Sequence, residues 1–185
     1  MIKDLETAIG YRFQNISLLQ NALTHSSYAN ERWHNSLLSN ERLEFLGDSV
    51  LGMLVADYLY RNFPNRPEGE LTRMRADMVC ETSLARIAEK IDLGRHLLLG
   101  NGEEQGGGRK RNSILADAME SVIAACFLDG GMEAARTFVL PFLIKEIAAQ
   151  RRRHFKDYKT QLQEIVQQTP EEKLHYVLVG ESGPD

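Results

Sequence analysis

The sequence predicts an all-α domain over residues 1–149, followed by a short stretch of mixed helix and strand. Three observations carry this. Apolar residues recur at helical spacing over most of the first 148 positions, the β-branched alternation of strands is almost absent there, and Gly and Pro punctuate the pattern at helix-length intervals. With 185 residues, 43% hydrophobic and 26% charged, the chain can bury one real core and still leave a small second module. That composition excludes a disordered, collagenous or disulfide-framed protein.

A first helix is expected over about 3–9, stopped by Gly10, and a second over about 16–29. A long helix over about 40–62 ends before Phe63-Pro64, because proline lacks the N–H and its ring clashes with the preceding turn. Shorter helices follow at about 69–79 and 82–91, before Gly94 and Gly100. Gly100 to Asn112 is too glycine-rich for a helix and too polar for a core, so a mobile surface loop ending in Arg109, Lys110 and Arg111 is expected. Helices over about 113–129 and 132–149, separated by Gly130-Gly131, complete the domain.

Residues 150–156, with Arg151-Arg152-Arg153-His154, read as a basic linker. From Asp157 an amphipathic helix runs to about Gln168. After Pro170, Leu174 to Val179 alternates as a strand does, and Gly180 to Asp185 begins a turn. One helix and one strand cannot bury a core of their own. The expectation is a second domain, 157–185, that continues in a longer product.

No apolar run approaches the roughly 18 to 20 residues that span a bilayer, and the start lacks the basic and apolar segments of a signal peptide. A cytoplasmic protein with no membrane partner is expected. Cys80 and Cys126 lie far apart, without a C-x-x-C or zinc-spaced histidines, and read as buried free thiols. The net charge of -4 argues at first sight against a nucleic-acid partner. However, residues 1–148 hold 16 Lys/Arg and 20 Asp/Glu, while 149–185 hold six of each. The acidic excess belongs to the first domain.

Within the long helix, Glu41, Glu44 and Asp48 stand at i, i+3 and i+7, inside an arc of about 60°. Phe45, Leu51 and Val55 border that stripe, so it is not a simple solvent face. A still more apolar helix carries Asp117 and Glu120 at i and i+3, again on one face. Ionised, unpaired acids on core helices are costly, so something must compensate them. Arg42, Arg73 and Arg75 could, as a structural ion-pair network. The alternative is a hard divalent cation, since Mg²⁺ takes carboxylate oxygens together with waters and phosphate oxygens. No His follows any of these acids at i+3, which disfavours a di-iron bundle. All-oxygen ligation favours Mg²⁺ or Mn²⁺ over zinc.

The segment Asn40-Glu41-Arg42-Leu43-Glu44-Phe45-Leu46-Gly47-Asp48-Ser49 resembles the signature of bacterial ribonuclease III. Three further segments resemble the family in the family's order: Ala22 to Tyr28 (Ala-Leu-Thr-His-Ser-Ser-Tyr), Glu68 to Ala76 (Glu-Gly-Glu-Leu-Thr-Arg-Met-Arg-Ala) and Ser113 to Glu120 (Ser-Ile-Leu-Ala-Asp-Ala-Met-Glu). The resemblance implies a ribonuclease III-like helical endonuclease fold in which Glu44, Asp48, Asp117 and Glu120 hold a catalytic Mg²⁺, with Mn²⁺ able to substitute. It makes Asp48 and Glu120 the most critical. It implies that Glu41 and Glu68 line the cleavage cleft and assist substrate or dimer contacts, and that Phe45 packs into the partner of a homodimer. Spacing alone reads Phe45 as core and His25 as structural. Removing those six acids from the 20 of residues 1–148 leaves 14 against 16 cations, so the remaining surface is mildly basic. Arg109, Lys110 and Arg111 become candidate phosphate contacts.

Beyond Asp157, Tyr158, Leu162 and Ile165 mark a buried face. Thr160, Gln163, Glu164 and Gln167 form a polar stripe at i, i+3, i+4 and i+7. A neutral-to-acidic stripe suits hydrogen bonds to 2′-hydroxyls and base edges in the wide minor groove of A-form RNA, although an ordinary solvated face reads the same way. Lys159-Thr160, Leu162-Gln163-Glu164, Tyr176 and Gly183-Pro184-Asp185 resemble the start of a double-stranded RNA-binding domain, an α+β fold incomplete at residue 185.

The expected activity is Mg²⁺-dependent endonucleolytic cleavage of double-stranded RNA, with a metal-activated water attacking the phosphodiester in line. No pair of histidines is placed to use the 2′-hydroxyl, so 5′-phosphate and 3′-hydroxyl ends are expected, with ribosomal RNA precursors and other structured transcripts as substrates. The rival is a non-cleaving regulatory protein that binds double-stranded RNA. The intact acid set argues against it.

Overall fold

The computed structural model describes the backbone of residues 2–167 and the side chains of residues 2–148. The chain divides into two units, 1–147 and 148–185. In the first, the helices are α1 (Ile2–Ile9), α2 (Ile16–Ala22), α3 (Ser26–Trp33), α4 (Glu41–Asn62), α5 (Glu68–Val79), α6 (Glu81–Lys90), α7 (Asn101–Gln105) and the start of α8 (Asn112–Gln167). Short 3₁₀ turns occupy Ser36–Leu38, Leu93–His96 and Gly108–Lys110. Among the described residues, β pairing is limited to one isolated bridge between Thr24 and Leu98. The all-α expectation for the first domain is met.

The centre of this unit is the first arm of α8. Every residue from Ile114 to Cys126 is buried except Asp117 and Glu120, which are half-buried. A helix that is apolar all round lies inside the bundle, and here Leu51, Leu54, Leu59, Leu84 and Ile87 of α4 and α6 join the same core. The arm ends at a kink where Gly131 adopts φ 75°, ψ -173°, a conformation open to glycine but not to side chains with a Cβ. The expected break at Gly130-Gly131 is thus a kink. Beyond it the backbone stays helical through 150–156, where a linker is expected, to Gln167.

Two expectations need correction. The single helix over 16–29 is broken at Leu23-Thr24-His25, because Leu98 donates its N–H to Leu23 O (2.8 Å) and accepts from His25 N (3.0 Å). Those groups are then lost to a helical ladder, and His25 restarts the chain as the N-cap of α3, its Nδ1 accepting from Ser27 N. The expected mobile loop at 100–112 is instead built structure. Arg109 Nη1 donates to the carbonyls of Gly94 (2.9 Å), Arg95 (3.3 Å) and Leu97 (2.8 Å), and its guanidinium pairs with Glu104. Arg111 pairs with Glu103. A Cβ on Gly94 would meet Arg109 O at 2.2 Å, so the two segments touch backbone to backbone. Of the two free cysteines, Cys126 is buried as expected, while Cys80 is half-buried at the α5–α6 junction. The strand at 174–179 and the turn at 180–185 lie outside the described residues.

Candidate metal centre

The site forms where the N-terminal half of α4 crosses the first arm of α8. Asn40, just before α4, is 4% exposed. Its N–H donates to Thr24 O (2.8 Å) and its Nδ2 to Ala22 O (3.4 Å), tying the start of α4 to the α2–α3 junction. Leu43, Gly47, Val50, Leu51 and Leu54 bury one face of α4. At Gly47 the helices meet: a Cβ there would lie 2.0 Å from the Glu120 carbonyl oxygen. Asp48 and Glu120 are therefore carried past each other by touching backbones. Glu41 and Asp48 are exposed, and Glu44, Asp117 and Glu120 are half-buried.

These acids share one field. The Glu120 carboxyl is pushed up to about 7, first by burial and then by the charges of Asp48, Asp117 and Glu44. Glu44 is raised by burial and then by Asp117, Glu41 and Asp48. Asp117 is raised by burial and by Glu81, against a smaller opposing influence of His25. Among the described residues, no salt bridge reaches the carboxylates of Glu41, Glu44, Asp48, Asp117 or Glu120. Arg42, Arg73 and Arg75, the residues of the ion-pair alternative, are exposed and pair with none of them.

The treatment of another buried acid makes the contrast. Glu146, 3% exposed, receives Arg86 at 3.1 Å and Lys90 at 2.6 Å. Burial alone would raise its carboxyl, but Lys90 and Arg86 hold it below the usual range. The fold neutralises Glu146 with its own cations and leaves the α4–α8 cluster without them. An oxygen-only donor set in mutual repulsion fits a hard divalent ion. Among the described residues, these acids are not gathered into a group of three or more that could hold an ion as they stand.

Other expected residues fall outside the cluster. Glu68 opens α5, exposed, and accepts from Thr72 Oγ1 at 2.7 Å. It does not figure among the groups perturbing Glu44, Asp117 or Glu120. Phe45 is 79% exposed, which overturns the core reading that spacing alone favours. With Met53 and Tyr60, 63% and 77% exposed, it forms an apolar stripe within an arc of about 80° on α4, the kind of surface that marks association. Of the three basic residues, Arg109 and Arg111 are engaged within the chain, while Lys110 is exposed. The side chains of Thr160, Gln163, Glu164 and Gln167 lie outside the described ones. Glu81, Ser121 and Gly47 belong to the site and were not singled out by sequence reasoning. Gly47 and Ser121 matter through contacts with a distant segment and Glu81 through its charge on Asp117, none of which spacing reports.

Comparison with known proteins gives a consistent picture. The family model described as Ribonuclease-III-like matches residues 15–147. A protein named Ribonuclease 3 from Desulforamulus reducens is 51% identical over 184 residues, covering 98% of this chain and 74% of its own length. One of the same name from Caldanaerobacter subterraneus subsp. tengcongensis is 53% identical over 187 residues, covering 100% and 81%. A solved nuclease domain of ribonuclease III from Campylobacter jejuni, described as flexible in a region involved in dimer formation, superposes with a TM-score of 0.73 at 41% identity, over 79% of this chain and 98% of that one. With the α4–α8 acid cluster and the helical fold already described, these similarities establish that the chain belongs to the ribonuclease III family.

Proposed function

We propose that this ribonuclease III-family enzyme is an endonuclease that hydrolyses double-stranded RNA with Mg²⁺, Mn²⁺ being able to substitute, and that Glu44, Asp48, Asp117 and Glu120 hold the ion. The observation that carries the reading is the uncompensated charge of the acids where α4 crosses α8. When bound, the ion supplies an activated water for in-line attack and neutralises charge at the scissile phosphate. Glu120 keeps its carboxyl proton up to about pH 7 and releases it as positive charge enters. Asp48 and Glu120, on touching stretches of helix, orient the donor set and are its most sensitive members. Glu41 and Glu68 assist substrate or dimer contacts.

Attack by a water in line, with the 3′ oxygen leaving, gives products with 5′-phosphate and 3′-hydroxyl ends. The exposed stripe of Phe45, Met53 and Tyr60 supports a homodimer in which each subunit brings one site. Lys110, exposed beside the Arg109 clasp, is the leading phosphate contact of the basic trio, ahead of Arg111 and Arg109. The polar stripe of Thr160, Gln163, Glu164 and Gln167 would read the minor groove from a double-stranded RNA-binding module begun at residue 157. Ribosomal RNA precursors and other structured transcripts are the fitting substrates of a cytoplasmic enzyme of this kind. The test is gel analysis of a perfect RNA duplex with and without Mg²⁺. Wild type should cut only with the ion, and Glu120→Gln or Asp48→Asn should bind the duplex without cutting it. Cleavage by either variant at the wild-type rate would remove that residue from the site.

A further inference from the structure

The cluster needs its two helices at a fixed separation, and one buried hydroxyl sits where they are joined. Ser121, 0% exposed and next to Glu120, places its Oγ 3.2 Å from the Asn40 carbonyl across the crossing and 2.8 Å from the Asp117 carbonyl on its own helix. The Asn40 carbonyl also receives the N–H groups of Leu43 (2.8 Å) and Glu44 (2.9 Å), so it is the point from which the first turn of α4 hangs. Asn40 is itself tied to Thr24 and Ala22. One hydroxyl, its single proton shared between the two carbonyls, thus bridges the turn bearing Glu41 and Glu44 and the turn bearing Asp117 and Glu120.

We infer that Ser121 is a positioning residue, which sets the spacing of the α4 and α8 carboxylates and through it the affinity for the divalent ion. This rests on the proposed reading of the cluster as a metal site. Removing the hydroxyl leaves no orphaned group, because the Asn40 carbonyl keeps its bonds from Leu43 and Glu44. The fold should therefore survive Ser121→Ala while α4 gains freedom to drift from α8. Groups that orient ligands without touching the ion typically contribute tenfold or more to its affinity. Loss of the hydroxyl should weaken ion binding by about tenfold.

The experiment is calorimetric titration of the full chain with Mn²⁺ and with Mg²⁺, for wild type, Ser121→Ala and Ser121→Cys, beside melting curves in EDTA and cleavage rates across an Mg²⁺ series. The inference expects an ion dissociation constant about tenfold higher for Ser121→Ala. It also expects an intermediate value for Ser121→Cys, whose thiol is a weak donor, and cleavage rates that fall in the same order as the ion affinities. Unchanged ion affinity in a folded Ser121→Ala protein, with wild type binding the ion, would overturn it. If Ser121→Ala does not fold, Ser121→Cys decides by the same affinity comparison. Failure of wild type to bind either ion would instead remove the metal reading itself.

Discussion

Substituting Gly47 by Ala separates catalytic geometry from stability more sharply than removal of any acid. The added Cβ would stand 2.0 Å from the Glu120 carbonyl oxygen and 2.5 Å from its carbon, whereas real Cβ contacts essentially never fall below 3.0 Å. The obstacle is helix backbone, so no flexible side chain can swing aside and α4 must retreat from α8 by about 1 Å, the gap between 2.0 and 3.0 Å. Overpacking of this kind costs about 1–3 kcal/mol, and the better helix propensity of Ala over Gly returns about 1 kcal/mol. The net destabilisation should be modest, at about 0–2 kcal/mol. A displacement of about 1 Å between reacting groups, however, can cost about 10²-fold in rate, and here it falls between Asp48 and Glu120. Urea melts in EDTA with single-turnover cleavage of an RNA duplex would measure both quantities. Gly102→Ala, with nothing within 4 Å of its added methyl, serves as the control and should match wild type in rate. Cleavage by Gly47→Ala within about threefold of wild type, at unchanged Mg²⁺ dependence, would refute the argument that the close crossing sets the site.

The Glu120 carboxyl, ordinarily at 4.5, stands at about 7, so the folded state holds a proton that the unfolded state has released between those values. Its contribution to stability is full below pH 4.5 and is lost as pH rises through 7. Discounted for the solvent that reaches it, that contribution is about 1–2 kcal/mol. In EDTA, melts from pH 4.5 to 8 should show wild type losing this much relative to Glu120→Gln, and a pH-independent difference would contradict it. Arg109→Ala should cost about 2 kcal/mol by opening the clasp on Gly94, Arg95 and Leu97 while leaving the salt slope of RNA binding alone. Lys110→Ala should do the reverse, flattening the slope by about 0.9; equal slopes would end its role as a phosphate contact. Phe45→Ala should leave the isolated subunit's stability unchanged, since the ring is exposed, but remove about 2 kcal/mol from each half of a dimer. Sedimentation should then show the dimer dissociation constant raised by about 10³-fold, and an unaltered mass distribution would exclude Phe45 from the interface.

What the sequence disclosed and what it hid divide along a physical line. Helical periodicity placed the elements of the first unit, because burial of one face is a local pattern. The acids at i, i+3 and i+7 of α4 and at i and i+3 of α8 showed on which faces they stand, and the cost of burying them argued that the two sets meet. Yet the break at His25 depends on Leu98, more than 70 residues away, and Leu23-Thr24-His25 carries no signal of it. Glycine content at 100–112 suggested mobility because composition reports backbone freedom, while the order there comes from three carbonyls of another segment converging on Arg109. Phe45 shows a further ambiguity: periodicity marks a residue as apolar without saying whether its partner lies in the same chain.

Glu146 and the α4–α8 acids answer different demands. Glu146 joins α8 to α6 through Arg86 and Lys90, a pairing complete within the chain and indifferent to any added ion. The α4–α8 acids are held close by the backbone approach at Gly47 and the Ser121 hydroxyl on the Asn40 carbonyl, which force like charges together without supplying a counter-charge. Such a site weakens the fold on its own, since the surrounding acids raise the carboxyls of Glu44 and Glu120, and that repulsion is relieved when a cation enters. A divalent ion should therefore stabilise the wild-type protein against unfolding by linkage, increasingly so above pH 7 as Glu120 ionises, and should do so far less once Glu120 or Asp48 is neutralised. Equal stabilisation of wild type, Glu120→Gln and Asp48→Asn by Mg²⁺ would mean that the ion binds elsewhere, and that the repulsion at the crossing serves something other than metal capture.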